Sequence, residues 1–233
     1  MQPANDADRP MLGWQHLGLI RHADAMALQE ERWQALHDGA VSDVLWTLEH
    51  LPVITLGRRA QDEDVLLLPD ELFARGIEVV RSDRGGEVTY HGPGQLVLYP
   101  NLQLSRFRLG PADVVRALAA VIVDEVRTWG VDAAYDPAHP GVWAAGSKLA
   151  AVGMRIRRGV SMHGAALNLT TDLRPFDWFV PCGMAGAAAT SMEVLSESWR
   201  MERPTDDAVA WMAGRLAARF AARLGAELRA GAG

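Results

Sequence analysis

Lysine is nearly missing from this chain. Of 23 basic residues only Lys148 is a lysine, and every other cation is an arginine. Arginine keeps its proton in proteins, whereas a desolvated lysine can release one. A lysine retained against such a bias marks a place where a guanidinium will not serve. Cysteine is equally scarce, with Cys182 alone. A single thiol excludes an internal disulfide and fits a reducing compartment, so a cytoplasmic location is expected. No run approaches 18 uninterrupted apolar residues, which leaves no evident membrane-spanning helix. A net charge of −6 argues against nucleic acid as a bulk electrostatic partner. It leaves room for local basic patches. Residues 1–10 hold no apolar run and one arginine, so they read as a disordered leader rather than a targeting segment.

What is present suits one globular domain. Apolar residues make up 49% of the 233, enough for a sizeable core. No repeat and no dividing linker is visible, so the expected layout is one domain over 11–224 with a frayed tail over 225–233. Strands are expected at 14–20, 44–48, 53–56, 77–81, 96–99, 131–135, 141–145, 149–157 and 161–169, with Gly159 turning the last pair. Helices are expected at 23–37, from Pro69 to about Gly76, at 111–129 and at about 205–224. In the first, Met26, Trp33 and Leu36 share a face. Val114, Leu118, Val121, Ile122 and Val126 give the third its helical spacing. Interleaved strands and helices predict an α/β (α+β) fold, a mixed sheet flanked by helices.

Four segments carry chemistry. Arg84 to Gly94 holds four glycines in eleven residues, which lets backbone approach a ligand and present N–H donors. It lacks the lysine of a phosphate loop and the spacing of a dinucleotide fingerprint, and a tight hairpin explains its glycines equally well. Lys148 sits at a turn between two apolar strands, where partial desolvation would ease its deprotonation; a solvated hairpin lysine is the plain alternative. Ser161 to Leu169 places His163 beside three small residues, Gly164, Ala165 and Ala166. A hydrogen-bonded structural histidine fits that pattern too. Pro181-Cys182-Gly183 puts the thiol in a loop before a helix starting at Thr190-Ser191, and an inert small hydrophobe is the plain reading of it. A thiol beside a tunable amine suits covalent acyl chemistry.

Together these runs resemble a known family. Arg-Gly-Gly-x-Val-Thr-Tyr-His-Gly-Pro-Gly-Gln-Leu-Val over 84–97 looks like the signature of the lipoyl(octanoyl) transferases, also called lipoate-protein ligase B. Gly-x-Lys-Leu-Ala-Ala-Val-Gly at 146–153, His-Gly-x-Ala-Leu-Asn-Leu at 163–169 and Pro-Cys-Gly at 181–183 agree in order and spacing, and the likeness covers about residues 14–220. It implies the fold of biotin and lipoate protein ligases. It also implies transfer of an octanoyl group from octanoyl-acyl carrier protein to a lysine of lipoyl domains, in 2-oxoacid dehydrogenase complexes and the glycine cleavage protein. Neither ATP nor a metal is implied, because the acyl group arrives as a thioester. On the family pattern Cys182 takes the acyl group and Lys148 tunes the thiol and moves protons. The substrate site is implied at Arg84, Gly85, Gly86, Glu87, Val88, Thr89, Tyr90 and His91, at Ala151, Val152 and Gly153, and at Gly164, Ala165 and Ala166. Ala165 stands where a larger residue is commoner.

Two other readings compete. An ATP-dependent ligase on the same fold would use the lysine on an adenylate and need no thiol, against which Pro181-Cys182-Gly183 counts. A non-catalytic module would only dock an acyl carrier. The implied partners are acidic, and Arg155, Arg157 and Arg158 follow the Lys148 strand. Alternation puts Arg155 and Arg157 on one face, a candidate docking surface against a solvated hairpin end.

Overall fold

Two β-sheets divide the strands between them, where the alternation pattern suggests one. The computed structural model describes residues 9–180 and 188–231. In chain order the elements are β1 (Met11–Ile20), α1 (His22–His37), β2 (Val44–His50), β3 (Val53–Leu56), α2 (Pro69–Ala74), β4 (Glu78–Arg81) and β5 (Val88–His91). There follow β6 (Gln95–Asn101), α3 (Pro111–Arg127), β7 (Ala133–Asp136), β8 (Gly141–Ala144), β9 (Ser147–Arg157) and β10 (Val160–Asn168). The chain continues with α4 (Met192–Leu195), α5 (Glu197–Glu202), α6 (Ala208–Arg223) and β11 (Glu227–Ala230). The large mixed sheet runs β11-β1-β2-β6-β10-β9-β8-β7, and the small one runs β4-β3-β5. Most of the expected leader lies outside the described residues, and β1 begins three residues ahead of Trp14.

The large sheet is covered on both faces, which gives the expected α/β architecture. Leu96 and Leu98 of β6 and Leu167 of β10 join Val114, Leu118, Val121 and Ile122 of α3 and Met212, Leu216 and Phe220 of α6 in the main core. The intervening Val97 and Tyr99 turn to the other face with Ala166 and Ala25 of α1, as the period of two requires. The expected apolar face of α1 is only partly observed. His22, Ala25, Gln29, Trp33 and Leu36 are buried, and Met26 is partly buried against the same side of the core. Gln29 earns its buried place by accepting the backbone N–H of His163 at 2.7 Å, a group β10 leaves without a ladder partner.

Two other expectations need correction. Residues 227–230 do not fray. They pair in parallel with β1 from Met11↔Glu227 to Trp14↔Ala230, because Gly225, at φ +64°, turns the chain back from α6. The glycine-rich segment is not only a loop leading into β6. Residues 88–91 form a strand of the small sheet, antiparallel to β3. Short alternation in a four-residue strand is masked by the glycines on either side.

Candidate active site

The lining of the cavity over β9 and β10 begins with small residues. Register pairs Ala151 with Ala166 and Gly153 with Gly164, and β6 continues the first row at Val97. Rows of glycine and alanine on one face of two neighbouring strands leave a trough in the sheet. A Cβ on Gly153 would meet the Gly85 carbonyl oxygen at 2.7 Å, and one on Gly164 would run into that of Leu98. The cavity is about 270 Å³.

The glycine-rich segment crosses this trough as a lid on one side. Gly85 N–H donates to the Met154 carbonyl at 3.1 Å. Arg84 does not reach for solvent; it is buried and braces the loop. Its Nε donates to Thr55 Oγ1 at 3.1 Å, and its Nη2 to the Thr55 and Glu87 carbonyls, each at 2.7 Å. Arg84, Gly85, Gly86, Glu87, Val88, Thr89 and His91 all line the cavity, as do Ala151, Val152, Gly153, Gly164, Ala165 and Ala166. Tyr90 does not. Alternation along β5 sends Thr89 and His91 to the cavity and Tyr90 into the core beneath the small sheet, edge-on to Phe176.

Four histidines surround the inner part of the site. His22, His91 and His163 line it, and the His50 ring packs edge-on against His22 and His91 at 5.3 and 5.5 Å. Their tautomers follow from their partners. Gln95 Nε2 donates to the Tyr90 carbonyl and to Asn168, so its Oε1 must accept, and His91 Nδ1 carries the proton across 2.7 Å. His50 Nδ1 donates to the Ile20 carbonyl, so Nε2 accepts from the Tyr99 hydroxyl at 2.8 Å. His163 Nε2 donates to Asp83 at 2.7 Å. Burial is the largest cause that lowers all four. It brings His22 to about 3, helped by His50, His163 and Arg84. His50 falls to about 4. His163 falls to about 3, with Arg84 and Arg155 adding to burial, and His91 lies well below its ordinary value. Asp83 also pairs with Arg155. The site is thus lined by neutral imidazoles, compatible with an apolar chain. His163 has φ +57°, a left-handed conformation unusual for a side chain on a strand, held by its bonds to Asp83 and Gln29.

Lys148 lies on the cavity wall because of a β-bulge. The β8–β9 register runs Ala144↔Ser147 and Trp143↔Lys148, then resumes at Val142↔Ala150. Leu149 is the extra residue. Strict alternation back from Ala151, on the trough face, would place Leu149 on that face and Lys148 in the core. The bulge reverses the phase: Leu149 is fully buried in the main core, and Lys148 lines the cavity. Where β10 ends against Ala150, residues 188–190 take its place. Lys148 N–H donates to the Ala188 carbonyl at 2.9 Å, and Thr190 N–H donates to the Lys148 carbonyl at 3.0 Å. Asn168 Nδ2 fixes that segment through the Thr190 carbonyl at 2.9 Å.

Cys182 lies outside the described residues. The chain on either side of it is anchored at the cavity. Phe179 bridges Val65, Val180 N–H donates to the Asp64 carbonyl, and both Phe179 and Ala188 line the cavity that Lys148 also lines. Ser191 caps α4, close to the expected Thr190-Ser191 start.

Sequence reasoning missed Tyr99, Tyr135 and Trp143, which also line the cavity. Aromatic residues in strands read as core, and nothing local tells which face opens on a cavity. Two of the three arginines of the expected basic face have partners within the chain, and Arg158 is exposed. Arg155 is paired with Asp83, while Arg157 holds Glu30 at 2.7 Å and lies 3.7 Å over the Trp33 ring. Both are committed to contacts within the chain.

A family model described as the lipoyl protein ligase A/B catalytic domain matches residues 21–212. The octanoyltransferase of Acidobacterium capsulatum is 43% identical over 192 residues, 77% of this chain and 78% of its own. That of Cellvibrio japonicus is 40% identical over 204 residues, 85% and 89% of the two chains. Among solved structures, a bi-partite lipoate protein ligase from Thermoplasma acidophilum, described with its E2 lipoyl domain, superposes with a TM-score of 0.67 at 17% identity. It covers 95% of this chain and 86% of that one. A lipoate-protein ligase A bound with ATP gives 0.66 at 18% identity, over 95% and 88%. At these identities the structural likeness speaks for the fold.

Proposed function

This chain belongs to the lipoyl protein ligase A/B catalytic-domain family and acts as an acyltransferase, and from that premise we propose a covalent route for octanoyl transfer in lipoate attachment. The donor is octanoyl-acyl carrier protein. The acceptor is a lysine of a lipoyl domain, as in 2-oxoacid dehydrogenase complexes and the glycine cleavage protein. One observation carries the reading: the only lysine lines a cavity that is also lined by Phe179 and Ala188, which lie on either side of the segment bearing the only cysteine.

The chemistry follows from those two groups. An ammonium near a thiol favours the thiolate. The Cys182 thiolate attacks the thioester carbonyl, the new C–S bond forms and the carrier C–S bond breaks. The carrier thiolate leaves with a proton from Lys148. This exchange of one thioester for another is nearly balanced. The acceptor amine then attacks the Cys182 thioester, the amide forms, and neutral Lys148 takes the amine's proton as the thiolate is released. The second step drives the cycle, since an amide is more stable than a thioester. The activation already present in the thioester removes any need for ATP or a metal. Gly153, Gly164, Ala151 and Ala166 give the acyl chain its trough.

Incubation with octanoyl carrier protein, without nucleotide, is expected to add one octanoyl group to the wild type, mapped by mass spectrometry to Cys182. Cys182→Ser is expected to form no such adduct and to lose amide formation, because a hydroxyl lacks thiolate reactivity. Amide formation at a substantial rate by the folded Ser variant would overturn the covalent route.

A further inference from the structure

A lysine side chain is flexible, and moving a proton between two substrates in turn demands that its amine be held in place. The hairpin of β7 and β8 supplies three restraints. Gly141 is the first. A Cβ there would meet the Ala150 carbonyl oxygen at 2.8 Å, Lys148 Cε at 3.1 Å and Cδ at 3.3 Å, so the bare backbone leaves room both for the paired strand and for the lysine stem that lies along it. Trp143, the cross-strand neighbour of Lys148, is the second: its ring centre lies 5.0 Å from Nζ, within cation–π range. The third is the anchoring of that ring. Its Nε1 donates to the His139 carbonyl at 3.1 Å, and the His139 ring packs against it edge-on. His139 in turn is held through Nδ1 by Asp136 at 2.9 Å.

We infer that Trp143 and Gly141 are positioning residues that hold the Lys148 amine on the cavity wall for proton transfer. The bulge at Leu149 turns the side chain to this face, and the hairpin then fixes where along the face its amine rests. The inference rests on the catalytic reading of Lys148 given above. A simpler role for Trp143, as wall for the acyl chain alone, makes a different prediction: its loss would weaken donor binding and leave turnover intact.

Because Lys148 is the only lysine, full-length protein labelled with ¹³C-lysine gives a single Cε NMR signal that needs no assignment. In the wild type the attached protons are expected upfield of free lysine, shielded by the indole ring. Trp143→Leu is expected to return them to the free position. It is also expected to lower kcat roughly five- to thirty-fold on a small octanoyl thioester, with KM changed by less than about two-fold. Trp143→Phe is expected to keep most of the shift and most of kcat. Gly141→Ala is expected to move the signal with the indole still present. Thermal melting of each variant confirms that it is folded. A wild-type signal at the free-lysine position, or a Trp143→Leu enzyme with raised KM and unchanged kcat, overturns the positioning role. Undiminished transfer by Lys148→Ala would instead overturn the catalytic reading of the lysine itself, which separates the two failures.

Discussion

Arg84 and Lys148 show why two cations in one site are different residues. Arg84 is buried and spreads its guanidinium over Thr55, Gly85 and Glu87, so that one side chain ties β3 to the glycine-rich loop. A lysine has three donors on one atom and cannot span these acceptors at once. Arg84→Lys is therefore expected to destabilise the protein by about 3 kcal/mol in urea unfolding, since buried carbonyls would lose charged donors. A change below about 0.5 kcal/mol would mean that the loop is held by its backbone bonds alone. The resemblance assigns Arg84 to substrate binding. Arg84 does line the cavity, and its hydrogen bonds also make it a brace for the neighbouring lining residues.

Among the elements, β11 is the one that local signals argue against. After a helix and a glycine, eight residues of which seven are polar or small suggest fraying. The strand exists because β1 offers an unpaired edge: Glu227 N–H donates to the Pro10 carbonyl and Gly231 N–H to that of Trp14, both at 2.9 Å. Leu228 packs at the margin of the main core. Truncation after Gly225 is expected to lower the melting temperature by roughly 3–6 °C and to promote association through the bare β1 edge. An unchanged melting temperature would assign β11 no stabilising role. The bulge in β9 is hidden for a related reason. Leu149-Ala150-Ala151-Val152 is apolar throughout, so alternation gives no phase, and only pairing with β8 sets which side chain faces the trough.

For the whole molecule, the buried histidines couple folding to pH. In the unfolded chain each takes up a proton near pH 6.5. In the folded protein His22 and His163 do so only near 3, His50 near 4, and His91 well below its ordinary value. Between these limits the unfolded state binds more protons, so stability rises with pH and is lost as pH falls from about 6.5 towards 4. Each histidine contributes a slope of up to ~1.4 kcal/mol per pH unit in that window. Urea unfolding at pH 7, 6 and 5 is expected to show this loss, and double replacement of His22 and His50 by Gln to flatten it. Equal stability at pH 7 and 5 would place these imidazoles in contact with water.

By itself the sequence determined most elements, the α/β class and the residues at which to look. Hydrophobic period, proline at helix starts and glycine at turns act over a few residues, and they located α3, α6, β9 and β10 to within a few positions. The scarcity of lysine and cysteine singled out Lys148 and Cys182 without any fold. Tertiary structure alone decided which side of the sheet each residue serves. It split off the small sheet, turned Tyr90 away from the cavity, drew Arg155 and Arg157 into internal ion pairs, and set Trp143 beneath the Lys148 amine. Each of these depends on strand partners or loops far apart in sequence, and the physical reason is common to them. A side chain's face is fixed by pairing register, and a single inserted residue such as Leu149 inverts it.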